Sequence, residues 1–342
     1  MERYRQVIRD HRARLLRLPN VVGVGLGYKR LRGEETREPA IVVFVAEKVP
    51  EGGLPRAWRV PRRINGLPTD VVYIGRVRLL AEQVARMRPA QPGVSIGHYQ
   101  ISAGTFGALV YDARSGAPLI LSNNHVLANQ SNGRDGRARE GDPILQPGPY
   151  DGGVEGRDTI ARLERFAPLH YSAEQATCPA AARFESVVNS LIRTYRPSYF
   201  VKVYKEMAVP NMIDAAVARP VDDGAVTDEI LGLGRVKGVV TPELGVSVRK
   251  SGRTSGLTGG VITYVDATVA VQLGENRSAV FEDQIMMGPM SQPGDSGSLI
   301  VDDQMRAVGL LFAGSTETTI ANRIDNVTRL LGITFGAPKE EV

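Results

Sequence analysis

Two short stretches of this 342-residue chain carry side chains suited to acyl transfer. In "QPGDSGSLIV", residues 292–301, Ser296 lies between glycines and follows an acid, and in "LILSNNHVLA", residues 119–128, His125 follows an apolar run. A serine hydroxyl is a weak nucleophile at neutral pH, so it needs a base such as His125 and a carboxylate that holds the imidazole in the right tautomer. Negative charge growing on an attacked carbonyl needs N–H donors, which a tight glycine turn supplies, and the N–H groups of Gly294 and Ser296 can converge on one point as an oxyanion hole. Asp295 adjoins Ser296 in sequence and so points away from the hydroxyl. It is expected to anchor the oxyanion turn and to need a cationic partner. Each stretch also has a plain structural reading, Gly-Asp-Ser-Gly as a hairpin turn and a strand-end histidine as a hydrogen-bonded structural residue.

The elements that would position these residues are mostly short strands. Gly (37) and Pro (21) punctuate the whole chain, a pattern of turns rather than long helices. "GTFGALVYDARSGAPLILSNNHVLA" reads as a hairpin that pairs 107–111 with 119–121 and delivers His125 just past a strand end. "PAAARFESVVNSLIRTY", residues 179–195, has apolar residues at three- and four-residue intervals and predicts a helical insertion near 175–198. Strand signals resume in "IDAAVARP", "VSVRKSG", "GGVITYVDATVAVQL", "GSLIVDD" and "AVGLLFAG".

The first 90 residues read differently. Residues 4–18 place Tyr4, Val7, Ile8, His11, Leu15 and Leu18 on one helical face, with Arg on the others and Pro19 as the stop. Three β-rich runs follow, "VVGVGLGYKR", "AIVVFVAEKV" and "TDVVYIGRVR", separated by "GEETREP" and a Pro-rich stretch. The spacing in "VVGVGLG" is not G-x-G-x-x-G and no helix pattern follows it, so it predicts a glycine-bearing strand rather than a dinucleotide loop. "ARMRPAQPG", residues 85–93, has linker punctuation. The expected organisation is a small α+β domain over 1–90 and a mainly β domain over 91–338.

Charge follows the same division. Residues 1–90 hold 19 Lys/Arg against 9 Asp/Glu, a net +10 in a chain of net +5, so the remainder is acidic. Such a front domain can be an interaction or oligomerisation module, a regulator of the cleft, or a binder of nucleic acid or anionic lipid, although no basic block with interleaved aromatics accompanies it. The single Cys178 allows no internal disulfide. Neither an export signal nor a run of about 20 apolar residues appears, so the expected location is the cytoplasm. The histidines stand at 11, 98, 125 and 170, away from metal-ligand spacing, and neither metal nor cofactor is expected.

Taken together, "LILSNNHVLA", "VRKSGRTSGLTGGVI" (248–262) and "GDSGSLIV" resemble the chymotrypsin-like (trypsin-like) serine peptidases. The likeness covers roughly 92–335 and is nearest the disulfide-free bacterial type and the narrow-leaf type proteins of plants. It implies a two-β-barrel peptidase domain and a serine endopeptidase acting on protein or peptide substrates through an acyl-enzyme. It also implies a triad acid between His125 and Ser296, where Asp135, Asp142, Asp151, Asp158, Asp214, Asp222, Asp223, Asp228, Asp266 and Asp283 are available. Asp214, opening the small apolar strand of "IDAAVARP", matches the family pattern, and Asp142 is the second choice, with turn duty as its structural reading. By the same resemblance Lys250 is the cation that holds Asp295. Met290 and Ser291, with Phe312, Ala313 and Gly314, would form the substrate pocket and the edge that pairs with a peptide backbone. A small or apolar residue before the scissile bond is the corresponding preference. Two other outcomes stay open: a protease-fold binding or assembly module with a closed pocket, and an esterase-like acyl hydrolase.

Overall fold

The computed structural model describes residues 1–342 except 32–33, 48, 50–52, 75–80, 177, 207–208, 275–276 and 337–342. The chain divides into two compact units, Met1–Leu79 and Leu80–Val342.

The first unit packs one helix on a sheet. Helix α1 (Glu2–Leu15) buries Val7 and Leu15 against Ile41 and Val43 and leaves its arginines in solvent. It ends three residues before the expected Leu18, in a turn closed by the Leu18 N–H on Leu15 O, because Pro19 disfavours helical geometry in the residue before it. Strands β1 (Val21–Leu31) and β2 (Glu34–Val45) form a hairpin, and β3 (Arg63–Ile64) and β4 (Leu67–Tyr73) complete the order β1-β2-β4-β3. Residues 34–39 of "GEETREP", read from sequence as a separator, are therefore the first half of β2, and Gly33 lies outside the described residues. Pro39 is tolerated there because its partner lies in β1 only, and the parallel pairing of β2 with β4 begins at Ile41. "VVGVGLG" is a strand, as its spacing predicts. The third apolar run reaches Tyr73 as β4, and its residues 75–78 lie outside the described residues.

The second unit is β-rich. After the short helix α2 (Ala81–Val84) come β5 (Ser95–His98), β6 (Gly104–Thr105), β7 (Ala108–Asp112), β8 (Pro118–Ser122), the one-turn helix α3 (Asn124–Leu127), β9 (Pro143–Leu145) and β10 (Thr159–Phe166). The expected insertion follows as a two-stranded piece, β11 (Ala173–Gln175) and β12 (Tyr204–Glu206), enclosing helix α4 (Pro179–Tyr195). Strand β13 (Ala216–Pro220) then returns to the first sheet. After the small pair β14 (Glu229–Ile230) and β15 (Gly234–Arg235), the chain builds β16 (Ser247–Gly252), β17 (Gly256–Gly274), β18 (Arg277–Met287), β19 (Leu299–Asp302), β20 (Ala307–Gly314) and β21 (Thr319–Arg323). Helix α5 (Ile324–Leu331) and β22 (Ile333–Thr334) end it.

These strands make the two halves expected of a chymotrypsin-like fold. The second is a closed six-stranded barrel, β16-β17-β18-β21-β20-β19, around Val248, Ile262, Ile285, Ile300 and Val308. The first is an eight-stranded sheet, β22-β7-β8-β13-β10-β9-β5-β6, rather than a barrel hydrogen-bonded all round. It nonetheless rounds on itself, because β6 and β7 are consecutive in the chain. Phe106 bonds to Val94 beside β5, and the next residue, Gly107, bonds to Leu121 of β8. A shared apolar layer joins the halves, with Leu119, Leu121 and Val217 from the first packed on Leu299, Val301 and Leu310 from the second. The catalytic candidates lie along this junction.

The boundary expected at residue 90 lies earlier, between Leu79 and Leu80. Residues 85–90, read as a linker, are woven into the second unit. Gln146 accepts the Met87 N–H at 2.9 Å and donates to Ala85 O at 2.8 Å, Arg86 pairs with the buried Asp158, and Ala90 exchanges backbone hydrogen bonds with Ala225 and Thr227. These partners are more than 50 residues away, beyond the reach of a local composition signal.

Candidate active site

His125 is carried by the single turn α3, immediately after the buried strand β8. Two asparagines in front of it fix that turn. Asn123 donates to Asp214 O at 2.7 Å, and Asn124 donates to Ser131 O at 2.9 Å and Ala167 O at 2.7 Å. The imidazole Nδ1 stands 2.5 Å from Asp214 Oδ2, and the other carboxylate oxygen accepts the His125 backbone N–H at 3.1 Å. Asp214 is fully buried, whereas the His125 side chain keeps 20% exposure, so one face of the ring reaches solvent or substrate. The Asp214 backbone is gripped by Asn322 of β21, which accepts its N–H at 3.0 Å and donates to its carbonyl at 3.1 Å. A carboxylate so placed accepts Nδ1–H and leaves Nε2 as the free base.

Asp142 has other work. Its carboxylate accepts the Arg139 N–H at 2.7 Å and stands 3.1 Å from Nε2 of the buried His98, away from His125. Burial lowers the pKa of His98 against the opposing pull of Asp142.

The Ser296 turn rests on the first half of the unit. A Cβ at Gly107 would lie 2.3 Å from the carbonyl oxygen of Gly297, so only glycine allows this approach. Thr105, in the adjoining strand, donates its N–H to Ser296 O at 2.7 Å. Gly294 adopts φ +99°, and a Cβ there would lie 2.4 Å from Thr254 Oγ1, so glycine is required on both counts. Among the described residues, no acceptor takes the N–H of Gly294 or of Ser296, the two donors an oxyanion would use. Ser296 Oγ differs from expectation. It points to Phe312 O at 3.4 Å, and no hydrogen bond joins it to His125. The contact that proton transfer from Ser296 to His125 would need is therefore open.

Asp295 points away from Ser296, into a fully buried ion pair with Lys250 (Nζ to Oδ2, 2.9 Å). Its carboxylate also accepts the N–H groups of Thr254 and Gln292 at 2.9 Å and of Ser255 at 3.0 Å, and the Ser255 hydroxyl at 2.5 Å. Lys250 donates in addition to Gly256 O at 3.2 Å and to Ser255 Oγ. Burial opposes ionisation of Asp295, but Lys250 and Ser255 outweigh it and hold the carboxyl below the usual carboxylate range.

Beside Ser296 lies a cavity of about 700 Å³, lined among others by Ser255, Thr258, Met290, Ser291, Ala313 and Gly314. Its lining holds no ionisable side chain. Met290 does not fill it, since the side chain is buried in the barrel core with its sulfur toward Gly260. Phe312 does not fill it either: its ring turns inward onto Phe281, with centroids 4.6 Å apart, and its backbone carbonyl faces Ser296. Sequence reasoning passed over Thr105, Asn123, Thr254, Ser298 and Asn322. Asn123, Thr254 and Ser298 lie within the motifs that carry the resemblance and Thr105 within the quoted hairpin, but nothing local marks Thr105 or Asn322 as functional. Among the described residues there is no cluster of three potential metal ligands, and no helix is long and apolar enough to cross a membrane.

Residues 6–74 match the family model of the NARROW LEAF 1 N-terminal domain. Protein NARROW LEAF 1 of Oryza sativa subsp. japonica is 26% identical over 348 residues, covering 90% of this chain and 53% of that protein, so the chain spans about half the length of the relative. Among solved structures the chain is similar to Nocardiopsis protease (TM-score 0.45, 16% identity, 72% of this chain and 98% of that one). It is also similar to Cellulomonas bogoriensis chymotrypsin (TM-score 0.43, 15% identity, 73% and 100%). A third is a glutamic-acid-specific serine protease described as using a histidine triad in substrate binding (TM-score 0.45, 14% identity, 72% and 100%).

Proposed function

We propose that this chain is a serine endopeptidase in which Ser296 attacks the peptide carbonyl, His125 moves the proton and Asp214 orients His125. The observation that carries the reading is the buried contact between Asp214 and His125, next to a glycine turn whose Gly294 and Ser296 N–H groups find no acceptor among the described residues. The reading requires the Ser296 side chain to rotate away from Phe312 O toward Nε2, which accepts the proton as Oγ bonds to the carbonyl carbon. The tetrahedral oxyanion then takes the two N–H groups. His125 returns the proton to the leaving amine, and water, deprotonated by the same imidazole, hydrolyses the acyl-Ser296 ester. Asp295 and Lys250 hold the turn from behind without proteolytic processing of the chain.

The cavity supports an uncharged residue before the scissile bond, since it offers no counter-charge for an acidic or basic side chain. Gly314 lines it, and a Cβ there would lie 2.9 Å from Thr318 O and 3.0 Å from Ser291 Oγ. Gly314→Val is expected to raise KM for peptides with a bulky apolar residue at that position by roughly 10-fold or more, and to leave small residues less affected. Equal losses for both would refute the assignment of this cavity.

One observation favours a second reading, a binding module with a resting triad: Ser296 Oγ rests on Phe312 O and not on His125. A fluorophosphonate separates the two. On the peptidase reading it labels the 342-residue chain once, and mass spectrometry of the digest places the adduct on Ser296. A folded chain that stays unlabelled at high reagent concentration supports the binding module instead.

A further inference from the structure

The "KSGRTSG" motif contains two residues the mechanism above does not use, Arg253 and Thr254. The Arg253 guanidinium forms a bidentate pair with Asp151, both contacts at 2.6 Å, with the two side chains only 11% and 8% exposed. Ser95 donates to the same carboxylate at 2.5 Å, and the guanidinium lies over the Tyr150 ring at 5.0 Å. Asp151, Ser95 and Tyr150 belong to the first half of the unit, and Arg253 to the second. An arginine held on two edges and one face has little freedom left.

From this fixed point two short chains of hydrogen bonds run to the Ser296 turn. Arg253 Nη1 donates to Thr254 Oγ1 at 3.0 Å, and that hydroxyl donates to Pro293 O at 2.7 Å. The Arg253 backbone N–H donates to Thr105 Oγ1 at 3.0 Å, and that hydroxyl donates to Gly294 O at 2.9 Å. In each chain the arginine fills the acceptor side of a threonine hydroxyl, which leaves its single proton for the carbonyl. In a trans peptide the N–H points opposite to the C=O, so holding Pro293 O from behind turns the Gly294 N–H outward, toward an incoming oxyanion. Ser298 acts likewise on the next donor: its N–H and hydroxyl reach Asp295 O at 3.0 and 2.5 Å, which turns the Ser296 N–H outward.

We infer that the Asp151/Arg253 pair and the hydroxyl of Thr254 form a relay that sets the plane of the Pro293/Gly294 peptide, with the Thr105 hydroxyl fixing the Gly294/Asp295 peptide that follows it, making Thr254 a positioning residue for oxyanion stabilisation. The relay couples the two halves of the unit, because Asp151 and Thr105 come from the half that carries His125. This inference rests on the hydrolytic reading of Ser296.

The test is the fluorophosphonate reaction of the 342-residue chain, resolved into reagent affinity and limiting labelling rate. Thr254→Val keeps the shape and removes the hydroxyl. It is expected to lower the limiting rate by about 10- to 100-fold with reagent affinity little changed, since it disorders one donor rather than deleting it. Thr254→Ser restores the hydroxyl and should return most of the rate. Asp151→Asn should slow labelling in the same way, and the double variant Asp151→Asn/Thr254→Val should fall by less than the product of the two single effects, because both act through one relay. A Thr254→Val chain labelled at the wild-type limiting rate, or a Thr254→Ser chain as slow as it, would overturn the relay. Should the folded wild-type chain resist labelling, the hydrolytic reading fails by itself. A crystal structure of Thr254→Val then decides the relay: a turned Pro293/Gly294 peptide supports it, and an unmoved one overturns it.

Discussion

Asp214→Asn is expected to lower kcat for peptide hydrolysis by roughly 10⁴-fold with KM little changed, while the chain stays folded. The reason is tautomeric. Asp214 Oδ2, 2.5 Å from Nδ1, is acceptor-only when ionised and therefore keeps the imidazole proton on Nδ1. An asparagine can present its NH₂ to the same nitrogen, which moves the ring proton to Nε2 and removes the base that Ser296 needs. The isosteric change leaves the Asn123 and Asn322 contacts in place, because these go to the Asp214 backbone. Steady-state kinetics with a peptide substrate, alongside a thermal melt, checks both halves of the expectation. Asp142→Asn serves as the comparison, since Asp142 faces His98. Activity within tenfold of wild type in Asp214→Asn would remove Asp214 from the proposed triad.

The second large effect concerns stability. Lys250→Met should destabilise the chain by about 3–5 kcal/mol at neutral pH, because it leaves the Asp295 carboxylate buried without its cation. Both side chains are fully buried, so solvent cannot take over the role of the lost partner. Adding Asp295→Asn to Lys250→Met removes the uncompensated charge and should recover a good part of the stability. It should not restore hydrolysis, because an amide cannot reproduce the acceptor set that shapes the turn. Acid dependence gives an independent check. With its pKa held below the usual range, Asp295 contributes stability that is full above the unfolded carboxylate value, near 3.9, and is lost as pH falls through the folded value. Without Lys250, burial raises the pKa instead, so the gap between wild type and Lys250→Met should narrow as pH drops from 7 toward 4. A variant as stable as wild type across this range would show that the pair does not hold the turn.

Several features were legible because they are local. Alternating apolar residues and turn chemistry marked the hairpin ending at His125, helix α4 and most barrel strands, since backbone geometry and one-sided burial leave their period in the sequence. The Asp295/Lys250 contact was reachable too: a buried carboxylate demands a cation, and the resemblance to the bacterial peptidases, which carry a basic side chain just before the Ser-Gly-Arg-Thr turn, pointed to Lys250. Boundaries fared less well. Residues 85–90 carry linker composition yet pack through Gln146 and Asp158, and residues 34–39 of "GEETREP" look like a loop yet form half of β2.

The sequence by itself therefore determined the chemistry available: a serine in a glycine turn, a histidine past a strand end, a set of candidate acids, and a mainly β scaffold to carry them. Only the tertiary structure decided which of these meet. It set Asp214 against His125 and Asp142 against His98, turned Phe312 into the core, rested Ser296 on the Phe312 carbonyl, and brought Asp151 and Thr105 to Arg253. The physical reason is range. Periodicity and turn preference act over a few residues, whereas the Asp151/Arg253 and Thr105/Gly294 contacts join residues 102 and 189 apart in the chain, and their geometry exists only once the two β halves have packed.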